Sequence, residues 1–238
     1  MEGMKGIKKE DYPGENGMKH PYKIIEMIYD SPSSKVLRAK DCGTGRTVVL
    51  KTGGQGQMPV EAVERLKHEY QVMQQADSPH VAKAVGEAEI DGRYYLVEEY
   101  YPGITLSRML KQGALEMTDF YRIAGQLVSG LRDLHEAGII HKDVNPANII
   151  YDAVTDRAVF IDFSISTLFQ HERMTGTRLS NIEGTLPYIA PEQTGRVNAE
   201  LDYRADFYSL GITFYEMLTG RCPFEAETPS EMVFVHIA

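Results

Sequence analysis

The sequence predicts an α+β fold in two parts, a small β-rich lobe holding one helix and a mainly helical lobe after it. Short apolar runs bounded by turn residues fill positions 22 to 100. Helical periodicity dominates after Pro102-Gly103. The 238-residue length leaves room for one or two cores at about 150 residues per domain. Composition narrows the class further. With 25 basic against 34 acidic residues, the net charge of −9 argues against a general phosphate-backbone binder, so no nucleic-acid partner is expected. Cys42 and Cys222 lie far apart, form no C-x-x-C pair and point to a reducing compartment. No run approaches the ~18 apolar residues of a membrane span, and no apolar signal core opens the chain. The expected location is cytoplasmic, with no membrane partner.

Residues 1–20 carry Gly, Lys, Glu and Pro without periodicity and read as a mobile extension. The first lobe is expected over 21–101. Runs at 22–29, 35–39 and 46–52 read as strands, and 87–100 reads as a hairpin because Asp91-Gly92 suits a turn with positive φ. Between them Pro59 suits a first helical turn, and Val60, Val63, Leu66, Tyr70 and Met73 recur at helical steps. Gly53-Gly54-Gln55-Gly56 lacks the Lys-Ser/Thr of a phosphate-binding loop and reads as a flexible link to that helix. The second lobe is expected over 102–238. Phe120, Ile123, Leu127, Leu131 and Leu134 mark a long helix stopped by Gly138, and a second runs from about Leu201 to Leu218 with Gly220 as its stop. Short apolar runs at 148–151 and 158–162 lie between them. The last segment opens as a helix at Thr228-Pro229 and stops on apolar residues without a terminator. The helical lobe is therefore expected to be incomplete, and the chain a fragment of a longer protein.

The chemistry concentrates in IIHKDVNPANII (139–150), which sets His141, Asp143 and Asn148 in a loop between a helix and a strand. Asp162-Phe163-Ser164 follows at the end of the next apolar run. Acidic and amide oxygens converging from two strand ends suit Mg²⁺, which prefers oxygen ligands and retains substrate phosphates as partners. One such Asp alone would be a loop cap. The spacing H-x-D-x-x-x-x-N followed by D-F-x points instead to a shared site.

These motifs, in this order, resemble the eukaryotic-type (Hanks-type) Ser/Thr protein kinase domain over about residues 22 to 238. The resemblance implies a bilobal protein-kinase-like fold that transfers the γ-phosphoryl of Mg·ATP to a protein hydroxyl, with Mn²⁺ as an alternative metal. It also implies roles. Lys51 would grip the nucleotide phosphates with Glu69 as its ion-pair partner. Val36, Glu99 and Tyr101 would contact the nucleotide, the last two through the hinge main chain. Asp143 would be the base, with Asn145 beside it, and Asn148 and Asp162 the metal ligands. Thr185 would face the protein substrate. His141, Glu192 and Asp206 would be structural, and Thr175, Thr177 and Ser180 would be candidate phosphorylation sites. Several positions depart from the family pattern. Tyr29, Ser31 and Ser34 stand where the nucleotide-covering loop has glycines, Lys142 replaces Arg, Asn145 replaces Lys, Ser164 replaces Gly, and Glu98 occupies the position before the hinge. Because the reacting groups remain, a slow or partner-dependent kinase is expected. The alternatives are a pseudokinase-like nucleotide-binding or regulatory module, and a small-molecule phosphotransferase. Ala190-Pro191-Glu192 and DFYSLG speak against the second. Residues 184–224 are similar to kinase modules that head large bacterial hybrid signalling proteins, which implies further ATPase-like, sensor and histidine-kinase domains in the same polypeptide.

Overall fold

The computed structural model describes residues 20–56, 58–169 and 183–238. Its α+β architecture divides into two compact units, one comprising residues up to Lys67 with Ala84–Tyr100, the other His68–Lys83 with Tyr101–Ala238. The expected extension at 1–20 falls almost wholly outside the described residues.

The first unit is an antiparallel sheet of β1 (Tyr22–Asp30), β2 (Ser34–Asp41), β3 (Thr47–Gly53), β4 (Ala84–Ile90) and β5 (Arg93–Glu99), in the order β1-β2-β3-β5-β4. Strand alternation explains its packing. Leu37, Ala39, Val48, Leu50, Tyr95 and Val97 are spaced by two along three paired strands, so they share one face and bury together. The opposite face carries Val36, Lys51 and Leu96 in register, with Val49 and Glu98 paired beside them. Asp91 and Gly92 adopt φ of 51° and 72° and close the β4–β5 hairpin as the dipeptide predicts. Helix α1 (Val60–Met73) starts just after Pro59, and its residues from His68 onward belong to the second unit.

The second unit is built around α3 (Met117–Glu136), whose buried stripe Phe120, Ile123, Leu127, Leu131 and Leu134 follows the predicted periodicity. Helix α2 (Leu106–Leu110) precedes it, capped by the Thr105 hydroxyl accepting from the Arg108 amide. Helix α4 (Arg204–Thr219) ends at Gly220 with φ 74°, and α5 (Pro229–Ile237) starts behind a Thr228–Glu231 capping box. The α4 start lies three residues beyond the expected Leu201, because Asp202 accepts the Arg204 amide and the chain still turns at 202–203. Short strands hold the loops: β6 (Ile104–Thr105), β8 (Ile149–Asp152) and β9 (Arg157–Phe160) form one sheet, β7 (Ile139–Ile140) and β10 (Thr167–Leu168) another. Among the described residues, no helix is long and apolar enough to cross a membrane.

Candidate active site

Three short strands of the second unit deliver the site. β7 hands the chain to His141, β8 receives it after Asn148, and β9 releases it towards Asp162. Ile149 pairs with Phe160, and the Ile161 amide donates to the Asn148 carbonyl at 2.9 Å, so the segments bearing Asn148 and Asp162 are hydrogen-bonded neighbours.

The loop from His141 to Asn148 is held by a fully buried carboxylate. Asp206 on α4 accepts from the His141 amide at 2.9 Å, the Lys142 amide at 2.8 Å and His135 Nε2 at 2.9 Å. A buried carboxylate is tolerated only with such donors, and these fix the loop to α4. Lys142 takes φ 68°, an unusual conformation for a side-chain-bearing residue, and its carbonyl accepts from Gln193 Nε2 at 2.8 Å. Its Nζ lies 3.7 Å from Glu183. His141 is also fully buried, its Nδ1 accepting from the Asp143 amide at 3.3 Å, its carbonyl accepting from Ser166 Oγ at 2.9 Å, and its ring against Phe163. These bonds place it within the loop scaffold.

Asp143 is the focus. Its Oδ1 accepts from the Thr185 amide and its Oδ2 from Asn148 Nδ2, both at 2.8 Å. Asn148 Nδ2 also donates to the Asp143 carbonyl at 3.0 Å. With its amide hydrogens engaged there, the Asn148 Oδ1 remains as an acceptor with no hydrogen bond among the described residues. Asn145, buried, donates through Nδ2 to the Asp143 carbonyl at 3.0 Å and to Thr185 Oγ1 at 3.2 Å, while its Oδ1 accepts from the Ala147 amide at 2.9 Å and caps the turn Pro146–Asn148. Thr185, forty residues further on, is therefore tied to both side chains of the loop.

Asp162 adopts φ 63°, and its Oδ1 accepts from the Ser164 amide at 3.2 Å. Left-handed backbone at a carboxylate next to a buried Phe163 is the kind of local strain that sites concentrate. Glu69, 1% exposed on α1, accepts the Phe163 amide at 3.0 Å, and His68 Nε2 lies 3.1 Å from the Ser166 carbonyl. The end of α1 is thus bonded on both sides of the 162–166 turn. Among the described residues, no group of three or more His, Cys, Asp or Glu side chains forms a metal cage. The oxygens of Asn148 and Asp162 fit a hard cation that takes few protein ligands and completes its shell with phosphate and water.

In the first unit, Lys51 lies in mid-β3 at 8% exposure, paired across the ladder with Val36 and Leu96. Glu98 is equally buried on the same sheet face, and Glu99 ends β5. Tyr101, in the second unit, is buried, with its hydroxyl accepting the Lys83 amide at 3.2 Å. Glu192 is half-buried on the turn Pro191–Thr194; burial first, then the Glu192 charge, raise the pKa of the nearby Tyr208 hydroxyl. Thr175, Thr177 and Ser180 lie outside the described residues. Gln193 and Ser166 had no signal in the sequence, because each acts by bonding a backbone carbonyl of the loop.

The family model described as "Protein kinase domain" matches residues 22–237. Curated relatives include the serine/threonine-protein kinase PknE of Mycobacterium tuberculosis, 34% identical over 215 residues, covering 89% of this chain and 37% of that protein. The serine/threonine-protein kinase PrkC of Bacillus subtilis is 30% identical over 218 residues, 91% of this chain and 33% of that protein. The probable serine/threonine-protein kinase pknA2 of Bifidobacterium longum is 30% identical over 223 residues, 91% of this chain and 28% of that protein. The chain spans about a third of the length of these relatives.

Proposed function

The chain belongs to the protein kinase domain family, and from that premise we propose that it transfers the γ-phosphoryl of ATP to a Ser or Thr hydroxyl of a protein. The observation that carries the reading is Asp143, a carboxylate oriented at both oxygens by Thr185 and Asn148 in a loop that Asp206 pins. Each of its oxygens keeps lone-pair capacity for a substrate hydroxyl. In the proposed step Asp143 accepts the hydroxyl proton as the hydroxyl oxygen bonds to the γ-phosphorus. The bond from that phosphorus to the β–γ bridging oxygen breaks, leaving a phosphoester and ADP. A divalent cation, Mg²⁺ or alternatively Mn²⁺, would supply charge neutralisation on the phosphates, held by Asn148 Oδ1 and Asp162. Lys51 would hold phosphates, with Glu69 supporting the arrangement, and Val36, Glu99 and Tyr101 would border the adenosine. Asn145 would fix Thr185 so that the protein substrate meets Asp143.

The substrate class follows from the protein kinases among the relatives, which are named for serine and threonine. The proposed setting is a larger bacterial signalling polypeptide in the cytoplasm. It is supported by the resemblance of residues 184–224 to kinase modules of hybrid signalling proteins and by the much greater length of the relatives.

The test is transfer of radiolabelled γ-phosphate to a Ser/Thr-containing protein such as myelin basic protein, and to the chain itself. Asp143→Asn is expected to slow transfer by about 10²–10⁴, the usual worth of a positioned general base. Equal labelling by both proteins overturns the role of Asp143. Binding of Mg·ATP without transfer by the unaltered chain overturns the kinase reading in favour of a nucleotide-binding regulatory module.

A further inference from the structure

The first unit contains a side chain whose bonds exceed what its sheet requires. Arg93 opens β5 immediately after the Asp91-Gly92 turn, and its guanidinium reaches across to the end of β3. Nη2 donates to the Gly53 carbonyl at 2.7 Å and to the Gly54 carbonyl, Nη1 to the Gly56 carbonyl at 3.0 Å, and Nε to Thr52 Oγ1 at 3.1 Å. Thr52 Oγ1 in turn donates to the Tyr94 carbonyl at 2.7 Å. The fork therefore gathers the backbone of the glycine-rich stretch that follows Lys51 and Thr52. Three glycines in four residues make that stretch entropically costly to order, and charge-assisted bonds to its carbonyls offset the cost.

The pinned stretch touches the β1–β2 turn. A Cβ built on Gly54 would collide with the Pro32 carbonyl, so the two backbones are in direct contact and only glycine fits. The turn itself is closed without glycine. The Ser31 amide donates to the Ser34 carbonyl at 2.8 Å, and the Ser34 amide to Ser31 Oγ at 3.0 Å. Ser34 also pairs with Gly53 at the end of the β2–β3 ladder. One continuous path thus runs from Arg93 through the 53–54 backbone to residues 31–34.

We propose that Arg93 is a positioning residue for nucleotide binding: it clamps the Gly53–Gly56 backbone under the serine-closed β1–β2 turn and so fixes the turn that covers the ATP phosphates. The proposal rests on the kinase reading. A turn with serines where glycines would otherwise permit close approach cannot adapt freely to the phosphates. Its placement must be set from outside, and Arg93 with Gly54 sets it.

The experiment measures Mg·ATP affinity by displacement of a fluorescent ATP analogue, KM for ATP and kcat, and the thermal midpoint, for the full chain and for Arg93→Gln, Arg93→Lys and Gly54→Ala. Arg93→Gln is expected to raise the Kd about tenfold, equivalent to ~1.4 kcal/mol, with KM for ATP rising more than kcat falls. Arg93→Lys should restore part of the affinity, since an ammonium keeps the charge but lacks the planar fork whose three nitrogens reach Thr52 and the separate carbonyls. Gly54→Ala should weaken nucleotide binding with Arg93 still present. A lowered thermal midpoint with unchanged Kd in the variants assigns Arg93 to sheet stability alone and overturns the proposal while leaving the kinase reading intact. Failure of the unaltered chain to bind Mg·ATP overturns both. Should Arg93→Gln not fold, the comparison of Arg93→Lys with Gly54→Ala decides the same question.

Discussion

Asn145 shows how much one amide can do where the family pattern has a lysine. Its Oδ1 caps the Pro146–Asn148 turn, and its Nδ2 holds Thr185 and the Asp143 carbonyl. The two jobs separate by substitution. Asn145→Ala should lose both, lowering stability by about 1 kcal/mol for the missing cap and slowing protein phosphorylation about fivefold for a bond worth ~1 kcal/mol. Asn145→Ser keeps an oxygen for the Ala147 amide but cannot span to Thr185, so it should recover the thermal midpoint without recovering the rate. Recovery of both by serine would show that the Thr185 bond is unimportant. At this scale the sequence pointed to Asp143, Asn145, Asn148 and Asp162, which stand at a spacing that few loops share and which carry the proposed chemistry. It did not disclose the left-handed φ of Lys142 and Asp162, or the bonds of Gln193 and Ser166 to backbone carbonyls. A carbonyl is the same group at every position, so nothing in the letters marks which one is used.

Elements with a sustained period, an apolar run or a strong boundary signal were legible, and the shortest were not. The α3 stripe and the β4–β5 turn repeat or punctuate strongly enough to be read, whereas β6, β7 and β10 are two residues each, too short for alternation to show. The stretch at 53–56 reads as a flexible link because glycines alone say so. In the fold Gly53 ends β3, and Arg93, some forty residues away, holds the rest. Glycines within α3 make the same point with opposite signs. Gly130 is buried, and a Cβ there would sit 2.8 Å from His80 Cβ and 3.1 Å from the Phe160 ring, whereas a Cβ on exposed Gly125 would meet nothing within 4 Å. Gly130→Ala should destabilise by about 1–3 kcal/mol through overpacking where β9 meets the helix. Gly125→Ala should stabilise by roughly 0.5–1 kcal/mol through helix propensity. Urea unfolding of the two variants checks this, and a loss of stability in both would show that α3 packs differently along its length.

Stability of the whole chain should depend on pH through a histidine remote from the chemistry. His236 on α5 is buried, with its Nδ1 2.9 Å from the Tyr208 hydroxyl and its ring 5.0 Å from that of Phe224. Burial lowers its pKa below the usual 6.5, against a weaker opposing pull from the Leu186 backbone. Well above 6.5 the residue is neutral in both the folded and unfolded chain and contributes no pH dependence. As the pH falls below that value, the unfolded chain binds a proton that the folded chain refuses, so stability drops, with a slope of up to ~1.4 kcal/mol per pH unit until the folded value is passed. His236→Gln removes the titrating group while keeping a polar atom for Tyr208. Thermal midpoints taken from about pH 7.5 down to about 5.5, the range in which histidine charges, should therefore fall more steeply for the unaltered chain than for the variant. The other histidines are common to both proteins, so the difference between the two curves isolates this site. Parallel curves would mean that α5 does not hold His236 neutral against Tyr208 and Phe224, and that acid sensitivity of the chain arises elsewhere.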